Sequence, residues 1–202
     1  MEKKYELTDE ILEVGGHVLR RIKALRDFGD VRKGDIGGWI ENEDNLSHDD
    51  DCWVHGNAKV HGNAKVFGNA EVFGNAEVCG NAIVFGNAEV HGNAEVHGNA
   101  KVCGNAEVCG NAEVHGNAKV HGNAKVCGNA EVEKKSDYIV FKNWWSSGRY
   151  FTWTRSNDMW SVGCFYGTGE ELIKKAYNDS DESGREYERI VKYVESIKQE
   201  FK

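Results

Sequence analysis

The stretch VHGNAKVHGNAKVFGNAEV, residues 54–72, opens a run in which one six-residue word is repeated without interruption as far as Val132. The word reads Val, variable residue, Gly, Asn, Ala, charged residue. Its Gly-Asn-Ala triplet occurs thirteen times, from Gly56 to Ala130. Repetition at a fixed short period decides an architecture more strongly than local propensity does. The repeat therefore determines the fold of the central chain, although it says little about chemistry.

Each word predicts one short strand and one corner. The segment Ala, charged, Val, variable alternates apolar and polar residues, so Ala and Val point inward and the other two point outward. Gly-Asn supplies the left-handed backbone that a corner requires. Short strands joined by corners every six residues predict a coil rather than hairpins. Backbone hydrogen bonds would stack successive coils at ~4.8 Å over a dry Val and Ala core.

These words resemble the hexapeptide-repeat family, in which an inward aliphatic residue is followed four positions later by a small one, as Val54 is by Ala58 and Val60 by Ala64. The resemblance covers residues 54–132. It implies a left-handed parallel β-helix with three words per triangular coil, and it implies a homotrimer. It does not imply one chemistry, because the same prism carries acyltransferases, carbonic anhydrases and scaffolds.

The predicted fold class is mainly β, with three units. Residues 1–53 form a β-rich cap with degenerate first coils, in which Trp39 and Trp53 close the end of the prism. Residues 54–135 form the β-helix of 13 hexapeptide words, and residues 136–202 form a small α+β domain.

The α+β domain is predicted to contain three strands followed by two helices. Three segments alternate apolar and polar residues as strands do, at 138–141, 150–155 and 159–165. Thr168 and Glu171 form a capping box that opens a helix running through Tyr177. Ser183 and Glu186 open a second helix with an apolar face.

Charge and composition exclude several partners. The net charge of −8 argues against duplex nucleic acid and anionic membranes. No apolar run reaches membrane length, and no signal peptide opens the chain. Most of the six cysteines occupy outward slots of the repeat, which favours the reducing cytoplasm of a bacterial host cell. Cys109 and Cys127 would lie one coil apart, close enough to bridge under oxidation.

One apolar surface interrupts the charged exterior. Positions 18 apart fall in register at three words per coil, and Ile83 is the single apolar residue in any charged slot. The interface patch is defined by four residues: Phe67, Ile83, Phe85 and Cys103. Exposed apolar patches mark contact surfaces, so we expect the trimer to pack through this patch. The alternative is an aromatic ladder that stabilises one sheet without a partner.

The repeat offers histidines and cysteines but no recognisable catalytic group. A vertical ladder of side chains on a flat sheet should diverge, whereas zinc needs ligands that converge at ~2.0–2.3 Å. The acyltransferases need a singled-out histidine and often an extruded loop, and here every repeat histidine occupies the same slot. We therefore predict no catalytic residue, no cofactor and no metal.

A cluster of aromatic and arginine side chains marks the C-terminal domain. It comprises Trp144, Trp145, Arg149, Tyr150, Trp153 and Arg155. These residues either form the core of a small domain or hold a planar anionic ligand such as a nucleotide. No phosphate loop or nucleophile–base pair accompanies them.

The whole chain resembles uncharacterised phage and prophage proteins, which share the Gly-Asn-Ala repeats and the junction from Gly163 to Thr168. This resemblance leads to a first hypothesis: a non-enzymatic homotrimeric binding protein that sequesters a nucleotide-like host immune signal in C-terminal or inter-subunit pockets. A structural or protein-interaction scaffold is the second hypothesis. An acyltransferase-type hexapeptide enzyme is the third.

Overall fold

A computed structural model describes residues 3–198. Its centre is a parallel β-solenoid of about five turns. An antiparallel hairpin covers one end, and a four-stranded antiparallel sheet with two helices covers the other. The predicted fold class is confirmed.

The N-terminal cap extends one sheet of the solenoid. Its strands are β1 (Tyr5–Val14), β2 (His17–Ala24) and β3 (Ile36–Ile40). Gly15 and Gly16 turn the β1–β2 hairpin with φ of 56° and 85°. Strand β2 pairs antiparallel with β3, and β3 pairs parallel with the second solenoid strand. The hairpin thereby joins the solenoid sheet edge to edge.

Fourteen short strands build the solenoid. They are β4 (Trp53–Val54), β5 (Lys59–Val60), β6 (Lys65–Val66), β7 (Glu71–Val72), β8 (Glu77–Val78), β9 (Ile83–Gly86), β10 (Glu89–Val90), β11 (Glu95–Val96), β12 (Lys101–Gly104), β13 (Glu107–Val108), β14 (Glu113–Val114), β15 (Lys119–Val120), β16 (Lys125–Val126) and β17 (Glu131–Val132). Every third strand stacks in the same sheet. Val78 lies beside Val96, eighteen residues on, which confirms three words per coil.

Valine and alanine fill the solenoid core, where they are at most 1 % exposed. At each corner the glycine takes a positive φ, and the asparagine amide bonds to the asparagine of the next coil. Asn63 Nδ2, for example, donates to Asn81 Oδ1 at 3.1 Å. Three such ladders run along the corners, through Asn57, Asn75, Asn93, Asn111 and Asn129, through Asn63, Asn81, Asn99 and Asn117, and through Asn69, Asn87, Asn105 and Asn123.

The first coil is two residues longer than the others. Trp39 pairs with Lys59, twenty residues on, whereas Trp53 pairs with Glu71 at the regular spacing of eighteen. Trp53 is 2 % exposed and closes the core end as expected. Trp39 does not close the core. It is half-buried on the outer surface of the solenoid, where the Arg21 guanidinium lies 4.4 Å from its ring centre.

The C-terminal domain has four strands rather than the three expected. They are β18 (Tyr138–Lys142), β19 (Tyr150–Thr154), β20 (Met159–Val162) and β21 (Phe165–Gly167). The third predicted segment is split because Gly163 turns the chain with a φ of 56°. Helix α1 spans Gly169–Asp179 behind the predicted capping box, and α2 spans Asp181–Lys198. Helix α2 begins before Ser183 because the Ser180 hydroxyl already accepts the Ser183 N–H.

The C-terminal sheet closes the far edge of the solenoid. Thr152 Oγ1 accepts the backbone N–H of Lys125 at 2.8 Å, and Ser156 Oγ accepts that of Glu131 at 2.7 Å. Tyr138 donates to the carbonyl of Lys119 at 2.9 Å. These bonds satisfy backbone N–H and C=O groups that an open sheet edge would leave unpaired and available to another chain.

A disulfide joins Cys109 to Cys127 across one coil, with a Cα–Cα distance of 4.6 Å. Among residues 3–198, no helix has the length and apolar character needed to cross a membrane.

We expect substitution of an interior corner glycine to destabilise the solenoid more than the same change at its edge. A Cβ at Gly92 would meet the N and O atoms of Gly110 at 2.9 Å, whereas a Cβ at Gly122 meets nothing within 4 Å. Both positions have nearly equal φ, 74° and 72°, so alanine costs about 1–2 kcal/mol at either one through the left-handed backbone alone. Gly92→Ala should therefore lower the urea midpoint, followed by circular dichroism, well below that of Gly122→Ala. Equal midpoints would contradict the close coil stacking.

Candidate functional site

The six aromatic and arginine residues predicted to bind a ligand do not converge on one pocket. Strand β19 carries two of them, Tyr150 and Trp153, and its side chains alternate between two faces. Phe151 and Trp153 pack with the helices in the domain core. Thr152, between them, faces the solenoid, where its hydroxyl bonds to Lys125. The six residues therefore lie in three separate places.

Trp144 and Trp145 lie on the turn between β18 and β19. They are 73 % and 80 % exposed, and the Lys142 ammonium lies 4.0 Å from the Trp144 ring centre. The buried Asn143 holds the turn, since its Oδ1 accepts the backbone N–H groups of Trp145 and Ser146. Neither tryptophan lines the two cavities described next.

The larger cavity, called here the C-terminal pocket, has a volume of about 520 Å³ and lies between α2 and the start of the C-terminal sheet. Its lining residues are Lys135, Ser136, Tyr138, Ile139, Trp153, Arg155, Asp158, Ile197 and Lys198. Trp153 is 4 % exposed, so it serves the core and the pocket wall together. Trp153 therefore belongs to the domain core and also lines this cavity, and its role in ligand binding stays a prediction.

Hydrogen bonds fix the polar side of the C-terminal pocket. The Trp153 Nε1–H donates to Asp158 Oδ1 at 2.7 Å. The Lys198 ammonium bonds both Asp158 oxygens at 2.6 Å and lies 5.7 Å from the Trp153 ring centre. Three cationic side chains and one carboxylate line this cavity. A neighbouring depression is acidic, lined by Glu131, Glu133 and Asp137, and Arg155 borders both.

Arg149 and Tyr150 line the second cavity, a groove of about 210 Å³ between the sheet and the solenoid. Lys125 and Glu107 also line it, and their side chains form an ion pair at 2.8 Å. The groove is less cationic than the C-terminal pocket, because two cationic side chains and one carboxylate line it, against three and one in the pocket.

The four residues of the interface patch lie on the sheet formed by β6, β9, β12 and β15. The rings of Phe67 and Phe85 stack with centroids 5.1 Å apart, and Phe67 is 39 % exposed. Ile83 is half-buried, and Cys103 is 8 % exposed, so it contributes little surface. An aromatic ladder and an exposed apolar patch are both present here.

Most of the repeat histidines turn towards a glutamate of the next coil. Four such pairs have Nε2–Oε1 distances of 2.7–3.1 Å: His61–Glu77, His91–Glu107, His97–Glu113 and His115–Glu131. The hydrogen bond from His61 lowers the pKa of Glu77. Burial raises the pKa of the neighbouring Cys79 thiol to about 11, which makes it a poor nucleophile because the thiolate is the reactive form.

No protein-family model matches the chain. A curated protein, the uncharacterized acetyltransferase YdcK of Escherichia coli (strain K12), is 45 % identical over 38 residues. The match covers 19 % of this chain and 12 % of that protein, so the chain spans only a small part of its relative. The repeat, the stacked parallel coils and this match fit a hexapeptide-repeat family.

This match corrects one expectation from the sequence. The prediction that the chain is not an enzyme is wrong, because the relative that shares part of its sequence is named as an acetyltransferase. The repeat histidines all occupy the same slot of the word, and that uniformity does not exclude catalysis at one coil. The match does not bear on the resemblance to phage proteins.

Sequence reasoning found only Trp153 and Arg155 among the nine residues that line the C-terminal pocket. Lys135, Ile197 and Lys198 are among those it missed. Lys135 belongs to the segment that ends the repeat, and the other two end α2, more than 60 residues later. The apolar face of α2 was visible in the sequence and included Ile197. The pairing of that face with β18 and β19 was not visible, because it depends on how the helices cross the sheet.

Proposed function

We propose that the protein binds a small, planar, anionic ligand of nucleotide type in the C-terminal pocket. The composition of the pocket carries this proposal, because apolar and aromatic side chains line it together with three cationic ones. Ligand sites are typically cavities of ~300–1,000 Å³ with mostly apolar linings and a few placed polar groups. The volume of about 520 Å³ lies within that range.

The charges of the pocket support an anion rather than a neutral ligand. Asp158 already accepts from Lys198 and Trp153, so its charge is largely compensated within the protein. Lys135 is exposed and lines the same cavity. An ammonium group beside an apolar wall attracts a phosphate group while the wall excludes water from a flat ring.

A pair of adjacent lysines tests this proposal. Lys135→Ala removes a cation from the pocket lining, whereas Lys134→Ala removes the neighbouring cation, which does not line the pocket and is near Glu133. We expect isothermal titration with mononucleotides, cyclic dinucleotides and coenzyme A to find a ligand whose affinity falls at least about tenfold in Lys135→Ala, a loss of ~1.4 kcal/mol. Lys134→Ala should leave the affinity unchanged. Equal losses in both variants, or no binding by any of these ligands, would contradict the proposal.

We further propose that the protein forms a homotrimer through the interface patch. The exposed Phe67 ring and the half-buried Ile83 and Phe85 support this, because they form an apolar surface among charged side chains. The lysines beside the patch, Lys65 and Lys101, would be near glutamates of a neighbouring subunit.

Charges introduced into the patch should dissociate the trimer. The double variant Ile83→Glu, Phe85→Glu should have the mass of a monomer in multi-angle light scattering, because desolvating two carboxylates opposes association. Phe73→Glu is the matched control, since Phe73 occupies the same slot of the word but lies on another sheet, stacked on His91. An unchanged mass in the double variant would refute the patch as an interface.

Acyl transfer is the second candidate function, and the name of the curated relative favours it. The histidine–glutamate pairs supply the arrangement that a general base needs, a ring nitrogen oriented by a carboxylate. His97 has the shortest such contact, 2.7 Å to Glu113.

An assay for free coenzyme A separates the two candidates. An acyltransferase should release the thiol from acetyl-coenzyme A when an amine or alcohol acceptor is present, and alanine at one repeat histidine should reduce the rate at least about a hundredfold. Alanine at the other histidines should have little effect. Binding of acetyl-coenzyme A without thiol release would favour ligand capture.

The origin and location of the protein stay predictions. A phage origin, a host immune signal as the ligand and a cytoplasmic location rest on the sequence resemblance and the composition alone. If the titration found no ligand, a scaffold function would be the remaining hypothesis.

A further inference from the structure

We propose that His17, Glu41 and His61 form a binding site for a divalent transition-metal ion, with Zn²⁺ as the best fit. One potential ligand atom from each of these side chains lies within 4.8 Å of the others. This cluster lies at the opposite end of the solenoid from the C-terminal pocket, so the proposal does not depend on the proposed function.

Three different elements bring the ligands together. Glu41 follows β3 and His61 follows β5, and the parallel pairing of Ile40 with Val60 sets the two side by side. His17 begins β2, at the turn of the N-terminal hairpin. Its ring lies against that of His61, with centroids 4.7 Å apart, and its Nδ1 lies 3.0 Å from Glu41 Oε1.

The hydrogen bonds of His61 leave one nitrogen for a metal. Its Nε2 lies 3.1 Å from Glu77 Oε1, so that nitrogen is engaged with the carboxylate and Nδ1 is the one left for a metal. Nδ1 is buried and has no hydrogen-bond partner, and the whole residue is 6 % exposed. A buried nitrogen without a partner is unfavourable, and a bound cation would remove that cost.

The surrounding groups resemble the outer shell of known metal sites. A metal-binding histidine usually donates its second N–H to a carboxylate, as His61 does to Glu77, and this orients the ring. Glu41 is held similarly, since its Oε2 accepts the backbone N–H of Gly62 at 2.7 Å. Lys59 lies 3.4 Å from Glu77 and compensates the charge of that second carboxylate. The charge of a bound cation would therefore be balanced chiefly by Glu41.

The ligand set indicates the metal and its coordination. Two imidazoles and one carboxylate are the donors of Zn²⁺ sites that keep a fourth position open, with bonds of ~2.0–2.2 Å. Ligand atoms around such a tetrahedral ion lie roughly 3.4 Å apart, so modest side-chain rotations would close the present cluster. His17 and Glu41 are partly exposed, which leaves the ion an entry path and a position for water.

A second cluster shares His61, and this makes the assignment testable. The side chains of His61, Glu77 and Cys79 also lie within 4.8 Å of one another. His17→Ala removes a ligand from the proposed site alone, and Cys79→Ser removes one from the alternative alone. His97→Ala is a further control, because His97 belongs to another cluster, with Glu95 and Glu113.

The experiment is calorimetric titration of ZnCl₂ into protein first treated with a chelator. We expect one tight site per chain, whose affinity falls at least tenfold in His17→Ala and in Glu41→Gln and is unchanged in Cys79→Ser and His97→Ala. Zinc at roughly 100 times its dissociation constant should raise the melting temperature of the wild type by about 5 °C and leave that of His17→Ala unchanged. Without zinc, His17→Ala should have a melting temperature close to that of the wild type, because it removes only one partly exposed ion pair.

Two outcomes would overturn the proposal. One is wild-type zinc affinity in His17→Ala, whatever the other variants show. The other is loss of the site in Cys79→Ser but not in His17→Ala, which would assign the metal to His61, Glu77 and Cys79. Absorption of the Co²⁺-substituted protein gives an independent readout, because a four-coordinate site absorbs strongly in the visible and thiolate coordination adds a band in the near ultraviolet.

Discussion

Hydrogen bonding from each coil to the next is the interaction on which the rest of the structure depends. Most solenoid strands are only two residues long, far too short to be stable alone. They persist because the backbone of one coil bonds to the next at strand and corner alike, as when Asn75 N–H donates to Gly92 O at 2.7 Å. The corner glycines allow that approach, and the asparagine ladders continue it through the side chains.

This constraint also explains why the C-terminal pocket and the proposed metal site lie at the ends of the solenoid. An interior coil is bound above and below by copies of itself, so its side chains repeat every eighteen residues. At the ends the repeat must stop, and other residues must satisfy the free edge. The N-terminal hairpin and the C-terminal sheet perform that function, through β3 at one end and through Thr152 and Ser156 at the other. New combinations of side chains therefore arise there, and the two sites are among them.

The sequence predicted the solenoid well because its signal is local and repeated thirteen times. The register of eighteen, the buried Val and Ala columns and the capping box at Thr168 all follow from residues close together in the chain. The period of eighteen residues predicts the wrong register at the first coil. Eighteen residues before His61 is Glu43, but the longer coil places Glu41 beside His61, and the period contains no information about that insertion.

The C-terminal domain shows a second limit of the sequence. The aromatic cluster was recognisable, but strand alternation separates Trp153 from the face that meets the solenoid, and Trp144 and Trp145 lie on a turn away from both cavities. The pocket depends on Ile197 and Lys198, whose position is set by the crossing of α2 over the sheet. Such packing is a property of the folded chain, which local patterns do not encode.

We propose that the ligand binds in the C-terminal pocket rather than on the exposed tryptophans. The most direct measurement is a crystal structure of the protein grown with the tightest-binding nucleotide. We predict electron density for the nucleotide's ring beside Trp153 and Ile197, and for its anionic group near Lys135. A complex in which the ring stacks on Trp144 or Trp145 and the pocket holds only water would contradict it.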